Sequence, residues 1–174
     1  MANAQVLFET NRLKLREFNG NDAEGLFQLN LAPEVQRFTG DMPFNSVDEA
    51  RSFINDYSHY QDYGYGRWAV LLKETNEFVG WCGLKYIPEF NDVDLGYRIL
   101  RKFWGQGIAT EASVGSLKHG FQQLKMDKIV GRAHAENLAS IKVMAKTGMW
   151  FEKAMEYDIG PTLQYAMSKQ KFPS

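Results

Sequence analysis

The sequence predicts one mixed α/β domain built around a central sheet, and three observations carry that prediction. Residues 65–100 are rich in β-branched and aromatic side chains and are interrupted by short turn clusters, the pattern of a strand meander. Segments with helical spacing of apolar residues stand before and after the meander. Strand-like residues 92–100, a helical stretch and strand-like residues 128–135 follow one another in the order of a right-handed βαβ unit with parallel strands.

Taken in order, residues 12–18 alternate, with Leu13, Leu15 and Glu17 on one side and Lys14, Arg16 and Phe18 on the other, as in a strand. Asn21 and Asp22 supply helix-start chemistry for residues 23–29. Pro33 opens a further helical turn at 34–38. Ser46 and Glu49 form a capping box, and Val47, Ala50, Phe53, Ile54 and Tyr57 repeat at helical spacing, predicting a helix over 46–62. Strands are expected at 65–73, 78–87 and 92–100, the first two joined as a hairpin through 74–77. A helix over 106–125 should face inward with Val114, Leu117, Phe121 and Leu124. After a strand at 128–135, a helix over 137–147 should bury Ile141, Met144 and Ala145 and end at Gly148. Strands at 150–158 and 162–168, joined through Gly160 and Pro161, complete the chain.

The 174 residues suit a single domain over 1–174, without linker, repeat or low-complexity segment, and large enough to fold without metal or disulfide. The 44% hydrophobic and 24% charged residues are those of a soluble globular protein. Twenty basic against 21 acidic residues give a net charge of -1, so no nucleic-acid partner is expected. The one cysteine, Cys82, has no internal disulfide partner and is read as a buried structural thiol, compatible with a reducing compartment. Neither a signal peptide nor an apolar run of membrane-spanning length is seen, and a cytoplasmic location is expected.

The chemistry concentrates in Trp104-Gly105-Gln106-Gly107-Ile108-Ala109-Thr110-Glu111-Ala112, between a strand and a helix. Two glycines allow close backbone approach and positive φ. The unpaired first amides of the helix and its dipole favour a phosphate or pyrophosphate, although such turns also serve packing alone. Gly107 is followed by Ile108, so the Gly-Lys-Ser/Thr of a nucleotide-hydrolysing loop is absent. Thr110 stands where a dinucleotide fingerprint needs a third small residue. Glu136, placed where a ribose-binding acid would lie, keeps a dinucleotide enzyme as a weak alternative.

Residues 104–109 resemble the pyrophosphate loop of the GNAT superfamily of N-acetyltransferases, Gln/Arg-x-x-Gly-x-Gly/Ala, with Gly107 and Ala109 in the small positions. Trp104 stands in place of Gln/Arg, as in the branch of the ribosomal-protein N-terminal alanine and serine acetyltransferases. Residues 10–16 resemble that branch's opening strand, Asp94-Leu95-Gly96-Tyr97 the strand before its CoA loop, and 137–149 its Asn-x-x-Ser helix. The resemblance implies a GNAT-type fold, a mixed, mostly antiparallel sheet flanked by helices with two splayed parallel strands, 92–100 and 128–135, holding acetyl-CoA between them. It implies pantetheine contacts from backbone between Tyr97 and Leu100, including Ile99, and from Asn137. The pyrophosphate would be held at Trp104, Gly105, Gln106, Gly107, Ala109 and Thr110. Lys142 or Lys146 would approach the adenosine phosphate, unless both are simply solvated. No metal is implied.

Acetyl transfer to an amine needs a neutral nucleophile, a donor for the oxyanion and a proton for the thiolate. About 15% of an α-amine but only about 0.04% of a lysine side chain is neutral at pH 7. The strand amide after Gly96, that of Tyr97, at an expected bulge, is a candidate oxyanion donor. Many GNAT enzymes carry a Tyr acid at the position of Met144, which has no proton to give. Ser140 is the substitute donor, with a cap or packing role as its alternative. Asp94 or Asp92 can act as base through water, or be a solvated strand-edge acid. His59, His119 and His134 are read as structural, and Tyr57, Tyr60, Tyr63, Tyr65 and Trp68 as core packing or acceptor-pocket lining. The expected function is acetyl-CoA-dependent acetylation of an α-amino group of a protein or peptide, by a monomer or homodimer. Acetylation of a polyamine, amino acid or aminoglycoside, and a non-catalytic acyl-CoA sensor, are the competing readings.

Overall fold

The computed structural model describes residues 5–173. Its eight strands are β1 (Val6–Glu9), β2 (Leu13–Arg16), β3 (Arg67–Leu72), β4 (Phe78–Ile87), β5 (Asp92–Ile99), β6 (Lys128–His134), β7 (Trp150–Tyr157) and β8 (Gly160–Ser168). They form one sheet in the order β1-β2-β3-β4-β5-β6-β8-β7. Every neighbouring pair is antiparallel except β5 and β6. The helices are α1 (Ala23–Leu31), α2 (Pro33–Gln36), α3 (Val47–Asn55), α4 (His59–Tyr63), α5 (Ile108–Gln122) and α6 (Leu138–Lys146). The mixed α/β class, the meander and the βαβ order are as the sequence predicts.

Strand alternation splits the sheet into two faces, because successive side chains point opposite ways. On one face Leu13, Leu15, Trp68, Val70, Cys82, Leu84, Leu95 and Ile99 pack with α5 through Ile108, Leu117 and Phe121, and with Met144 of α6. On the other, Ala23, Leu26 and Leu29 of α1 and Ala50 and Ile54 of α3 cover Phe78 and Trp81. Each such residue removes apolar surface from water. Truncating a fully buried one, such as Leu84, to alanine costs about 3 kcal/mol.

Four local expectations change. The helix expected over 46–62 is two: α3 ends at Asn55 and α4 begins at His59. Asn55, Asp56 and Ser58 are weak helix formers whose side chains compete for backbone bonds, which places the break there. β1 adds a strand before the first one expected. The inward face of α5 is made of Ala112, Ser113, Ser116, Leu117, Gly120 and Phe121, while Val114 is exposed. In α6 Met144 is buried and Ala145 exposed. The small face of α5 lets it lie close on the sheet. A Cβ at Gly120 would stand 2.7 Å from Ile129 and 2.9 Å from Leu84.

Candidate active site

The parallel strands β5 and β6 meet at one registered pair, Asp94↔Val130, and part beyond it. The β4–β5 ladder next to them keeps register from Gly80↔Ile99 to Ile87↔Asp92. The expected bulge after Gly96 is therefore absent, and the opening comes from the splay. The Arg98 carbonyl lies against Gly80, and Leu100 N–H donates to the Val79 carbonyl at 2.9 Å. By the two-residue alternation of an antiparallel strand, Tyr97 and Ile99 turn their backbone groups to the other edge, into the splay. The Ile99 carbonyl is already taken, at 2.7 Å, by the indole N–H of Trp104. That contact fixes the strand-to-loop corner and explains why a tryptophan serves there.

Past Trp104 the chain turns through Gly105 and Gly107, with φ of 73° and 77°. These values strain any residue with a Cβ. Gly107 is the N-cap of α5, so the helix starts at Ile108 and its first amides face the loop. Trp104, Gly105 and Gln106 are exposed, and Ala109 and Thr110 half-buried. Arg12, from the turn between β1 and β2, reaches this loop. It donates from Nη1 to the Gln106 carbonyl at 2.9 Å and from Nε to Glu111 at 2.7 Å.

Across the splay, Asn137 caps α6 by accepting from Ser140 N–H at 3.2 Å. The Tyr97 hydroxyl donates to the Ser140 carbonyl at 3.0 Å, and burial pushes its phenol up. Tyr97, Asn137 and Ser140 are thus brought together, linking β5 to α6 over the gap. Lys142 and Lys146 are exposed on α6.

Asp94 is not a solvated edge acid. Its side chain is 13% exposed, and its Oδ2 accepts from Arg67 Nη2 at 2.8 Å. Arg132 stands 3.7 Å from Oδ1 and pairs with Asp92. Burial pushes the Asp94 carboxyl up, while Arg67 and then Arg132 pull it down. Arg67 reaches Asp94 from β3 by crossing Gly83 and Gly96. A Cβ at Gly96 would lie 2.6 Å from its guanidinium.

The same face bears a cavity of about 520 Å³ under α1, α3 and residues 41–44. Phe18, Phe44 and Trp81 supply apolar wall, and three cations, Arg67, Lys85 and Arg98, line it against one carboxylate, Asp41. Of the aromatic run, only Tyr57 lines this cavity; Trp68 is core. The hydroxyl of Tyr57 accepts from Arg67 N–H at 2.8 Å and that of Tyr60 donates to the Arg67 carbonyl, so both tyrosines fix the strand that carries Arg67. His119 stacks on Phe8, His134 on Phe38 and His59 on Tyr57, which gives all three histidines packing roles. The sequence reading missed the cationic cavity. Its one legible trace is the alternation in β4, Trp81, Gly83 and Lys85 against Cys82 and Leu84.

Comparison with known proteins agrees with this geometry. Residues 12–150 match the family model described as "Acetyltransferase (GNAT) domain". The chain is 34% identical over 137 residues to the uncharacterized N-acetyltransferase p20 of Bacillus licheniformis, covering 78% of this chain and 77% of that one. Its fold matches a GNAT-family acetyltransferase from Bacillus anthracis at a TM-score of 0.79, with 25% identity over 93% of this chain and 98% of the other. It also matches RimL, a ribosomal L7/L12 alpha-N-protein acetyltransferase solved with coenzyme A, at a TM-score of 0.79 and 22% identity, covering 94% and 98%. With the family model spanning most of the chain, the splayed strands and the glycine loop fall into place: the protein belongs to the GNAT acetyltransferases and is an acetyl-CoA-dependent N-acetyltransferase.

Proposed function

We propose that the enzyme acetylates an α-amino group, on a peptide or a small molecule, and that the acceptor enters through the cavity on the Trp81 face. The observation that carries this reading is the cationic lining of that cavity by Arg67, Lys85 and Arg98. A polyamine or aminoglycoside is itself polycationic and would be repelled there, since like charges in a partly desolvated site cost several kcal/mol. An α-amine needs little help to lose its proton, and the name of RimL describes an enzyme for α-N-protein acetylation.

The chain's residues fit an acyl-CoA. A Cβ at Gly105 would meet nothing within 4 Å, so the loop is open to a ligand, and the α5 amides stand behind it. In this reading Gly105, Gln106, Gly107, Ala109 and Thr110 hold the pyrophosphate. Tyr97 and the Ile99 amide bind along the splay with Asn137, and Lys142 or Lys146 approaches the adenosine phosphate. Trp104 and Leu100 shape the corner. Acetyl-CoA, when bound, supplies the acetyl thioester: the amine nitrogen forms a C–N bond, the C–S bond breaks, the amine loses one proton and the thiolate gains one. The Tyr97 amide donates to the oxyanion. Ser140 protonates the thiolate. Asp94, whose Oδ1 has no hydrogen bond among the described residues, takes the ammonium's proton through water. A cytoplasmic setting accords with a buried, unpaired Cys82.

The test is a competition between an acetyl-blocked lysine peptide, an unblocked lysine-free peptide and spermidine, read by mass spectrometry. The unblocked peptide should be modified first. Preference for spermidine or for the lysine side chain overturns the α-amine assignment.

A further inference from the structure

The charges around the cavity do not cancel. Arg67 is paired with Asp94 at 2.8 Å, Arg98 with Asp41 at 2.6 Å, and Arg132 with Asp92. Four cations, counting Lys85, therefore face three carboxylates. Lys85 is the one left over: among the described residues its Nζ has neither a hydrogen bond nor an ion pair. It is half-buried, and burial followed by the nearby Arg67 pushes its ammonium down, against a weaker upward pull from Asp94 and Asp41, whose carboxylates are already bonded to Arg67 and Arg98. An ammonium held out of water beside guanidinium groups is unfavourable unless an anion joins it.

Lys85 is also placed to matter. It pairs in register with Asp94, the residue at which β5 and β6 part. It therefore sits one strand away from the splay, about 5 Å in the plane of the sheet. Trp81 lies four residues before it on the same face, with Arg67 and Arg98 over its ring at 5.2 and 5.4 Å. Those two guanidiniums are spent on their own carboxylates and on the indole. Phe18, Phe44 and Trp81 give the cavity an aromatic wall, beside the polar Asn30, Asp41 and Tyr57.

From this arrangement we infer that the acceptor is an amine carrying one carboxylate a few bonds from its nitrogen, and that Lys85 is the residue that reads that carboxylate. The inference rests on the α-amine reading and narrows it. One unmatched cation selects one negative charge. A spacing of one strand selects an amine and a carboxylate close together, and the aromatic wall selects an apolar remainder. Two sources offer this chemistry, a free apolar amino acid and the acidic first residue of a peptide.

The experiment measures kcat/KM on matched pairs, with wild type, Lys85→Gln and Lys85→Arg. One arm compares free leucine, methionine and phenylalanine with their amides. The other compares short peptides beginning Asp-Phe with those beginning Asn-Phe. With kcat/KM expressed per neutral amine, because a neighbouring carboxylate makes an α-amine more basic than a neighbouring amide does, wild type should favour the carboxylate member of a pair by at least about tenfold, the worth of one charge-assisted hydrogen bond. Lys85→Gln should bring that ratio close to one, and Lys85→Arg should keep most of it. A response in the first arm identifies a free amino acid, and in the second an acidic peptide. Ratios near one for wild type in both arms, or equal losses on both members in Lys85→Gln, overturn the inference while leaving α-amine acetylation standing. Turnover of spermidine or lysine side chains with none of any α-amine rejects the parent reading as well. Circular dichroism and Tm of each variant separate misfolding from lost recognition.

Discussion

Arg12 and Glu111, 99 residues apart in the chain, are joined by two bonds: the backbone N–H and the Nε of Arg12 each donate to the Glu111 carboxylate at 2.7 Å. Thr10 adds its hydroxyl at 2.6 Å. The pair clamps the β1–β2 turn onto the first turn of α5, and Arg12 carries the restraint to the Gln106 carbonyl.

Burial alone pushes the Glu111 carboxyl up, but the bonds from Thr10 and Arg12 outweigh it and hold it below its ordinary value of 4.5. A lowered folded pKa means that its stabilisation is present above about pH 4.5 and is lost as pH falls through the folded value. Glu111→Gln should lower Tm at pH 7 by about 2–4 °C and flatten the loss of Tm between neutral and acid pH. It should also raise the KM for acetyl-CoA, because the glycine loop loses its brace. Thermal scans across pH and steady-state kinetics check both. An unchanged pH profile rejects the clamp as a contributor to stability.

Gly107 holds φ of 77° at the N-cap of α5. Gly107→Ala should cost about 1 kcal/mol in stability through backbone strain. A bulkier residue, as in Gly107→Val, should weaken acetyl-CoA binding as well, because a side chain then stands between ligand and amides. Calorimetry should show acetyl-CoA binding to wild type, with NADH and ATP far weaker. NADH binding as tight as acetyl-CoA would contradict the role given to this loop.

Ser140 lends its carbonyl to Tyr97 and its amide to Asn137, which leaves its hydroxyl available. If that hydroxyl protonates the thiolate, Ser140→Ala should lower kcat by about 100-fold with little change in acetyl-CoA affinity. Tyr97→Phe removes the bond that spans β5 and α6 and should raise the KM for acetyl-CoA more than it lowers kcat. An unchanged single-turnover rate in Ser140→Ala removes the residue from the chemistry.

Cys82 is fully buried, with Sγ 3.4 Å from Ser116 Oγ, and burial pushes its thiol up to about 11. A thiolate is the reactive form. The native enzyme should therefore resist a thiol-directed reagent at pH 8 and release one reactive thiol on unfolding in guanidinium chloride. Rapid labelling of the native protein would falsify the buried assignment.

The sequence by itself determined the order of strands and helices, apart from β1 and the break between α3 and α4, together with the glycine loop before α5 and the Asn137 cap of α6. These rest on local physics: strand and helix periods differ, glycine alone takes positive φ freely, and a cap needs only a side chain three residues from its amide. Tertiary structure decided the rest. No local pattern tells that β8 lies between β6 and β7, or that the opening beside Gly96 is a splay rather than a bulge. Asp94 reads as an exposed strand acid until Arg67, 27 residues earlier, crosses two glycines to meet it. Asp41, Arg67, Lys85 and Arg98 come from separate segments, and their charges combine only once the sheet sets β3, β4 and β5 side by side about 5 Å apart. Which cation keeps a partner and which stays open to a ligand is a property of that juxtaposition, because electrostatic pairing depends on distance through space and burial, not on separation along the chain.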